Sequence, residues 1–315
     1  MPIAMPMATS PAARRSQPEN PTVKLFIGSA CTWVYELSMG HFFEFVKIAK
    51  QTKPHMSYAE LTREMTAQKG LIGVLDGFFP WGTVQALSKG AVFAFAHAGA
   101  KKTLHPYSTE QGGAVPHMVV ETMAGGIGGG LQGLVLSPTL LLKTRVMTNP
   151  VFRQQMSLGQ TVSMSTKVGM EVIRSEGLMA LMKGSVVFAS KRVADWGTRF
   201  LFSTIVEDAL FKRGDAAYQL SYYEKITASL LGGTLSACST IPVDVMVAQI
   251  QQAGKAGQKV SVFETFASEF KAGGWERVAG FATRGFVART AHVATTTALM
   301  KTMTSWVYDK YTGAL

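Results

Sequence analysis

FFEFVK at 42–47, PTLLLK at 138–143 and PVDVMV at 242–247 are three imperfect copies of one hexapeptide, each lying in a long apolar stretch. Overlaid, they give proline, any residue, an acid, two further residues and a base. No copy is whole: Phe42 stands in place of the proline, Leu140 in place of the acid and Val247 in place of the base. Each copy is followed by a polar amphipathic stretch, a glycine turn at Gly70, Gly177 or Gly274, and a second apolar stretch beginning near Gly77, Gly184 or Gly280. A period of roughly a hundred residues with loops of varying length marks three copies of one structural unit.

Working outward, six apolar segments emerge at 24–50, 77–101, 117–147, 184–212, 222–252 and 280–311. At about 1.5 Å per residue each is long enough to cross a hydrocarbon core about 30 Å thick. Each also carries charges or glycines, and a charge facing lipid at the bilayer centre costs roughly 2.5 to 3.5 kcal/mol. The charges must therefore face one another or water. Gly125, Gly129 and Gly133 recur at helical spacing, as do Gly233 and Ala237, and a weaker pair is Gly28 with Thr32. Small residues on one face let a neighbouring backbone approach closely, a better reading than local flexibility because glycine disfavours helices without a packing reason. Tyr58 to Gln68, Leu158 to Ile173 and Val260 to Phe270 are amphipathic and too short to span, which places them along the membrane surface.

Bulk composition agrees. Of 315 residues, 47% are hydrophobic and only 16% charged, with mean hydropathy +0.15, too apolar for an ordinary soluble enzyme and too polar for a bundle wholly exposed to lipid. The net charge of +11 comes from bases scattered through apolar helices with no nucleic-acid-binding motif. It points to anionic lipid or an anionic solute. Cys31 and Cys238 sit within apolar segments and read as small packing residues, not a disulfide. No metal-ligand spacing, nucleotide-binding glycine loop or nucleophile elbow is present, so neither a cofactor nor enzymatic chemistry is expected. Residues 1–23 hold five prolines with Arg14 and Arg15, which reads as a disordered or partner-bound tail and not as a secretory signal.

Six spans in three helix, surface-helix, helix units, each with a remnant Px[DE]xx[KR] signature, resemble the mitochondrial carrier family. EGLMALMKG at 176–184 is close to that family's glycine turn, and GLIGVLDG at 70–77 is a looser version. PWGTVQALSKGAVFAF from Pro80, DWGTRF from Asp195, VEDALFK from Val206 and YEKITASLLGGTLSA from Tyr223 are similar to its citrate/2-oxoglutarate branch. The resemblance implies an all-α membrane protein with six transmembrane helices in three pseudo-symmetric repeats, at 24–110, 111–215 and 216–315 behind the tail 1–23. It implies the mitochondrial inner membrane, exchange of di- and tricarboxylates by alternating access, and contact with membrane lipid, cardiolipin included.

The resemblance also implies roles for particular residues. The acid of each signature would pair with the base of the next to form a gate network: Glu44 with Lys143 and Asp244 with Lys47, leaving Leu140 opposite Val247. Losing both partners of a buried pair can be nearly neutral, whereas losing one strands a charge. Family motifs for the opposite gate lack their acid in FAHAGAKK at 95–102 and at 298–303. Substrate contacts would be Gln85, Lys89 and Phe93 on the second helix, Lys191 and Arg192 on the fourth, and Arg284 on the sixth, where Val287 fills an often basic position. The residues themselves leave an alternative: Asp195 lies four residues from both Lys191 and Arg199 and could neutralise both, with Glu36 free for another base. His97 and His292 read as packed or cavity-lining side chains. The damaged signatures and the tail favour a second reading, a transport-inactive subunit of a large respiratory assembly. The basic residues and branch-like stretches favour exchange.

Overall fold

The first apolar segment becomes α1 (Pro21–Tyr35) and α2 (His41–Thr52), joined through a π turn at Glu36–Gly40 in the computed structural model. The structure describes residues 20–67, 69–212, 215, 218, 220–255 and 261–311. After the surface helix α3 (Tyr58–Thr66) comes α4 (Thr83–Leu104). The second unit repeats the order as α5 (His117–Thr148), α6 (Leu158–Glu176) and α7 (Ser185–Val206), and the third as α8 (Tyr222–Lys255), α9 (Val262–Ala282) and α10 (Phe286–Tyr311). Among the described residues the chain thus forms an all-α fold of six long helical stretches with surface helices between them. Asn20 caps α1 through its side chain, so helix begins inside the stretch read as tail. The remainder of that tail, 1–19, lies outside the described residues.

Local chemistry repeats with the fold. Ser57 with Glu60 and Ser157 with Gln160 form reciprocal capping boxes, and Ser261 accepts the backbone N–H of Glu264, so each surface helix starts with orphan donors satisfied. Gly70, Gly177 and Gly274 all have positive φ, at 59°, 82° and 65°, where a side chain would be strained. The second glycine series needs a correction. Gly77 and Gly184 have φ of 83° and 80°, but their counterpart is Gly285 at 82°, because helix resumes after Gly274 and carries Gly280 within α9. The sixth long helix therefore starts at Phe286, not near 280.

Pro138 and Pro242 lie inside α5 and α8, where each removes a backbone hydrogen bond. The first unit lacks that proline, and its irregularity is the π turn just before Phe42. Gly40 is required there: a Cβ would sit 2.6 Å from the Tyr35 ring and 2.7 Å from Glu36 Oε2.

The long helices close into a ring, with α1 against α4, then α5, α7, α8 and α10, which returns to α1 and α2. Among the described residues, only α5 and the Tyr222–Val247 part of α8 are apolar enough to read as spans on hydropathy alone. The other long helices turn polar stripes inward. Tight packing of α5 on α7 explains the glycine stripe: a Cβ at Gly129 would lie 2.4 Å from the Arg192 carbonyl oxygen, one at Gly133 2.8 Å from the Ala189 Cα, and one at Gly125 2.5 Å from the Phe200 ring. On α8 the tighter glycine is Gly232, facing the Ser203 backbone N at 2.5 Å, while Gly233 faces Thr297 on α10 at 3.2 Å. Cys31 is buried as expected. Cys238 is exposed, so the packing role assigned to it is withdrawn.

Candidate functional site

Two aspartates gather most of the central bases. Asp244 on α8 receives Lys191 Nζ at 2.8 Å, Lys47 Nζ at 3.6 Å and the Arg289 guanidinium at close range. Asp195 on α7 receives Arg289 at 2.5 Å and Lys191 at 3.3 Å. Arg289 also donates to Thr240 Oγ1 at 2.6 Å. Asp244 has a side-chain exposure of 1% and Arg289 of 8%, so this is a desolvated network drawn from α2, α7, α8 and α10. Such charges persist only when paired and hydrogen-bonded, because removing each ion from water costs several kcal/mol, on the order of the attraction that offsets it.

A second pair joins the first and second units, with Lys143 Nζ 2.5 Å from Glu44 Oε2 and within 3.4 Å of Gln85 Oε1. Lys89 on α4 is bound to Glu36, the buried acid that opens the π turn. Gln132 of α5 ties three helices together. Its amide N–H₂ donates to the Lys89 carbonyl at 2.6 Å, and its oxygen accepts from Arg192 and, at 3.2 Å, from Trp196 Nε1. Phe93 stacks on Trp196 with centroids 3.8 Å apart, and His97 continues the stack onto Phe200 at 4.8 Å. His292 Nδ1 lies 3.1 Å from the Gly40 carbonyl oxygen, where it can donate a proton across the π turn.

The residues singled out from sequence thus divide. Glu44 meets Lys143, Lys47 meets Asp244, and Lys191 enters the central network. Leu140 is partly buried and Val247 buried, both apolar as the paired loss requires. Gln85, Lys89 and Arg192 are held by Lys143, Glu36 and Gln132, and Phe93 belongs to the aromatic stack. Arg284 is not brought to the site. It lies in the turn between α9 and α10, over the Phe281 ring at 4.7 Å and 4.0 Å from Glu269, lining a groove of about 510 Å³ with Lys50, Tyr58 and Arg277. Val287, one residue into α10, is exposed. The arginine of α10 that reaches the centre is Arg289. It is the only fully charged residue between Gly285 and Lys301, a signal that the misplaced start of this helix hid. Gln132 was also missed, since a lone glutamine among glycines announces nothing until its neighbours are known.

A profile described as mitochondrial carrier protein matches residues 115–214, the second unit with its α5 glycines, signature and turn. The chain is 28% identical over 255 residues to the citrate/oxoglutarate carrier protein of Saccharomyces cerevisiae, covering 78% of this chain and 77% of that one. It is 25% identical over 246 residues to solute carrier family 25 member 47-B of Danio rerio, covering 76% and 82%. The chain is thus similar to members of the mitochondrial carrier family along most of its length. Mitochondrial substrate carrier family protein Z of Dictyostelium discoideum is a further relative, 24% identical over 236 residues, covering 72% of this chain and 73% of that one. These three matches run over 236 to 255 residues, well beyond the length of the second unit.

Proposed function

We propose that this protein exchanges di- and tricarboxylates such as citrate and 2-oxoglutarate across the mitochondrial inner membrane. One observation carries the reading: the interior charges do not balance. Among the described residues, Lys47, Lys89, Lys143, Lys191, Arg192, Arg199 and Arg289 share the centre of the ring with Glu36, Glu44, Asp195 and Asp244, a formal excess of three positive charges, while the buried Glu121 elsewhere on α5 is balanced by Lys101. A desolvated excess of cations is unfavourable unless an anion enters, and a tricarboxylate is a fitting complement. The name of the yeast relative supports the same class of solute.

Glu44–Lys143 and Lys47–Asp244 serve in this reading as the gate at the signature end, holding α2 to α5 and α8. Transport requires a second state in which these contacts open and the far end closes, with the solute's binding energy biasing the change. Leu140 and Val247 stand at the two signature positions where a third ion pair would form, and both are apolar. Arg289 and Lys191 are the bases we assign to the central solute position, with Lys89 released from Glu36 on binding.

The test is exchange of labelled citrate or 2-oxoglutarate in liposomes containing the purified protein. Replacing Arg289 or Lys191 with Gln is expected to reduce exchange roughly a hundredfold, the scale of truncating one partner of a buried charge pair. Absence of exchange for every carboxylate, together with retention of the chain in a large assembly on a native gel, would reject this function in favour of a structural subunit.

A further inference from the structure

Trp196 carries two arginines over one ring, Arg199 with its guanidinium carbon 4.8 Å from the indole centroid and Arg192 at 5.7 Å. Their other contacts differ. Arg192 donates to Gln132, whereas Arg199 makes no hydrogen bond or ion pair among the described residues, and its Nε is buried without a partner. The carboxylate expected to neutralise Arg199 is engaged elsewhere, since Asp195 holds Arg289 and Lys191. An arginine fork with no protein acceptor is suited to a carboxylate, which it binds through two parallel N–H···O bonds. Its support is rigid: Trp196 donates to Gln132 at 3.2 Å and stacks on Phe93 at 3.8 Å, so the platform is fixed before a ligand arrives.

Position along α7 gives this arginine a separate task. Arg199 follows Lys191 by two helical turns, roughly 12 Å along the axis, toward the end where α7 terminates at Val206. We propose that Arg199, backed by Trp196, is an outer carboxylate subsite that engages a polycarboxylate before it reaches Lys191 and Arg289. The proposal rests on the carboxylate reading above and adds a selectivity to it. With Arg192 over the same ring, a solute bearing two or more carboxylates contacts both arginines, while a monocarboxylate contacts one.

The test separates binding from exchange. Citrate, glutarate and acetate are titrated against the full chain in detergent, with the unfolding temperature as readout, for wild type, Arg199→Gln, Arg199→Lys and Trp196→Phe. The half-saturating citrate concentration is expected to rise roughly tenfold in Arg199→Gln, with a smaller rise in Arg199→Lys, which keeps the charge but loses the fork. The response to acetate should be the same in all four proteins. Equal citrate responses in wild type and both Arg199 variants, or no citrate response in wild type, would overturn the subsite. Should Arg199→Gln fail to fold, Arg199→Lys decides: a weaker citrate response supports the subsite and an unchanged one overturns it. A citrate response that depends on Arg199 in a protein showing no liposome exchange would leave the subsite standing and reject only the exchange function.

Discussion

The turn that follows α3 and the turn that follows α6 share a backbone and oppose each other in charge. Gly70 and Gly77 in the first, like Gly177 and Gly184 in the second, have positive φ, and each turn is spanned by an ion pair between residues seven apart. In the second unit the acid comes first: Glu176 accepts from Lys183 at 2.5 Å and from Arg145 at 2.8 Å. In the first unit the base comes first, with Lys69 donating to Asp76 at 2.9 Å. Burial differs as sharply, since the Lys69 and Asp76 side chains are each 1% exposed and Lys183 is 63% exposed. The neighbours explain the reversal. Arg153, from the segment between α5 and α6, lies 3.3 Å from Asp76, and Lys69 also donates to Thr161 of α6 at 3.2 Å. A glycine turn of this shape accepts a pair of either polarity. The adjacent unit sets the sign, and in doing so converts a local surface pair into a clasp between units.

The largest effect that would break this comparison comes from Asp76→Leu, which leaves Lys69 buried without its carboxylate. It should cost about 3 to 5 kcal/mol in unfolding experiments in detergent. Pairing it with Lys69→Met should recover most of that loss, because burial pushes the Asp76 carboxyl up against the pull of Lys69 and Arg153. Desolvation therefore already offsets much of the attraction. A double variant no better than the single would show that the pair is not a unit.

Next in size is reversal, Lys69→Glu with Asp76→Lys. It copies the order of the second unit but sets a lysine against Arg153, with an expected cost of roughly 1 to 3 kcal/mol. Adding Arg153→Glu should restore part of it, and a reversal as stable as wild type would sink the claim that Arg153 sets the sign.

Glu176→Gln should have the smallest effect of the three, because exposed ion pairs stay solvated and contribute little. Hydrogen bonds from Arg145 and Lys183 hold the Glu176 carboxyl down at about 2. A depressed carboxylate contributes stability above its unfolded value of about 4.3, and loses it as pH falls through the folded one. The difference between wild type and Glu176→Gln should thus be greatest near neutrality and vanish toward pH 2. A difference that instead grows on acidification would exclude these ion pairs as its source.

Much of this was legible in the chain because it depends on near neighbours. The hexapeptide copies and glycine turns located the long helices, and the serines at Ser57, Ser157 and Ser261 show how local capping starts the surface ones. The pairs Glu44–Lys143 and Lys47–Asp244 were expected from the family resemblance, which joins the acid of one signature to the base of the next. Arg289 was not, because a few residues of uncertainty at the start of α10 move every later side chain around the helix, and Arg284 occupied the expected offset. Nor was the reversed pair at Lys69 and Asp76. Its partners, Arg153 and Thr161, belong to the next unit.

The sequence by itself determined the three-unit helical fold, the placement of all its glycine turns but the one at Gly285, and the identity of charges that could not face lipid, because periodicity, capping and burial cost act over a few residues. Tertiary structure alone decided which charge met which. It gave Asp195 to Arg289 instead of Arg199, tied Arg192 to Gln132, and left the buried Arg199 Nε without a partner among the described residues. Those outcomes depend on distances of a few ångströms between helices far apart in the chain, where a single helical turn of offset exchanges one partner for another.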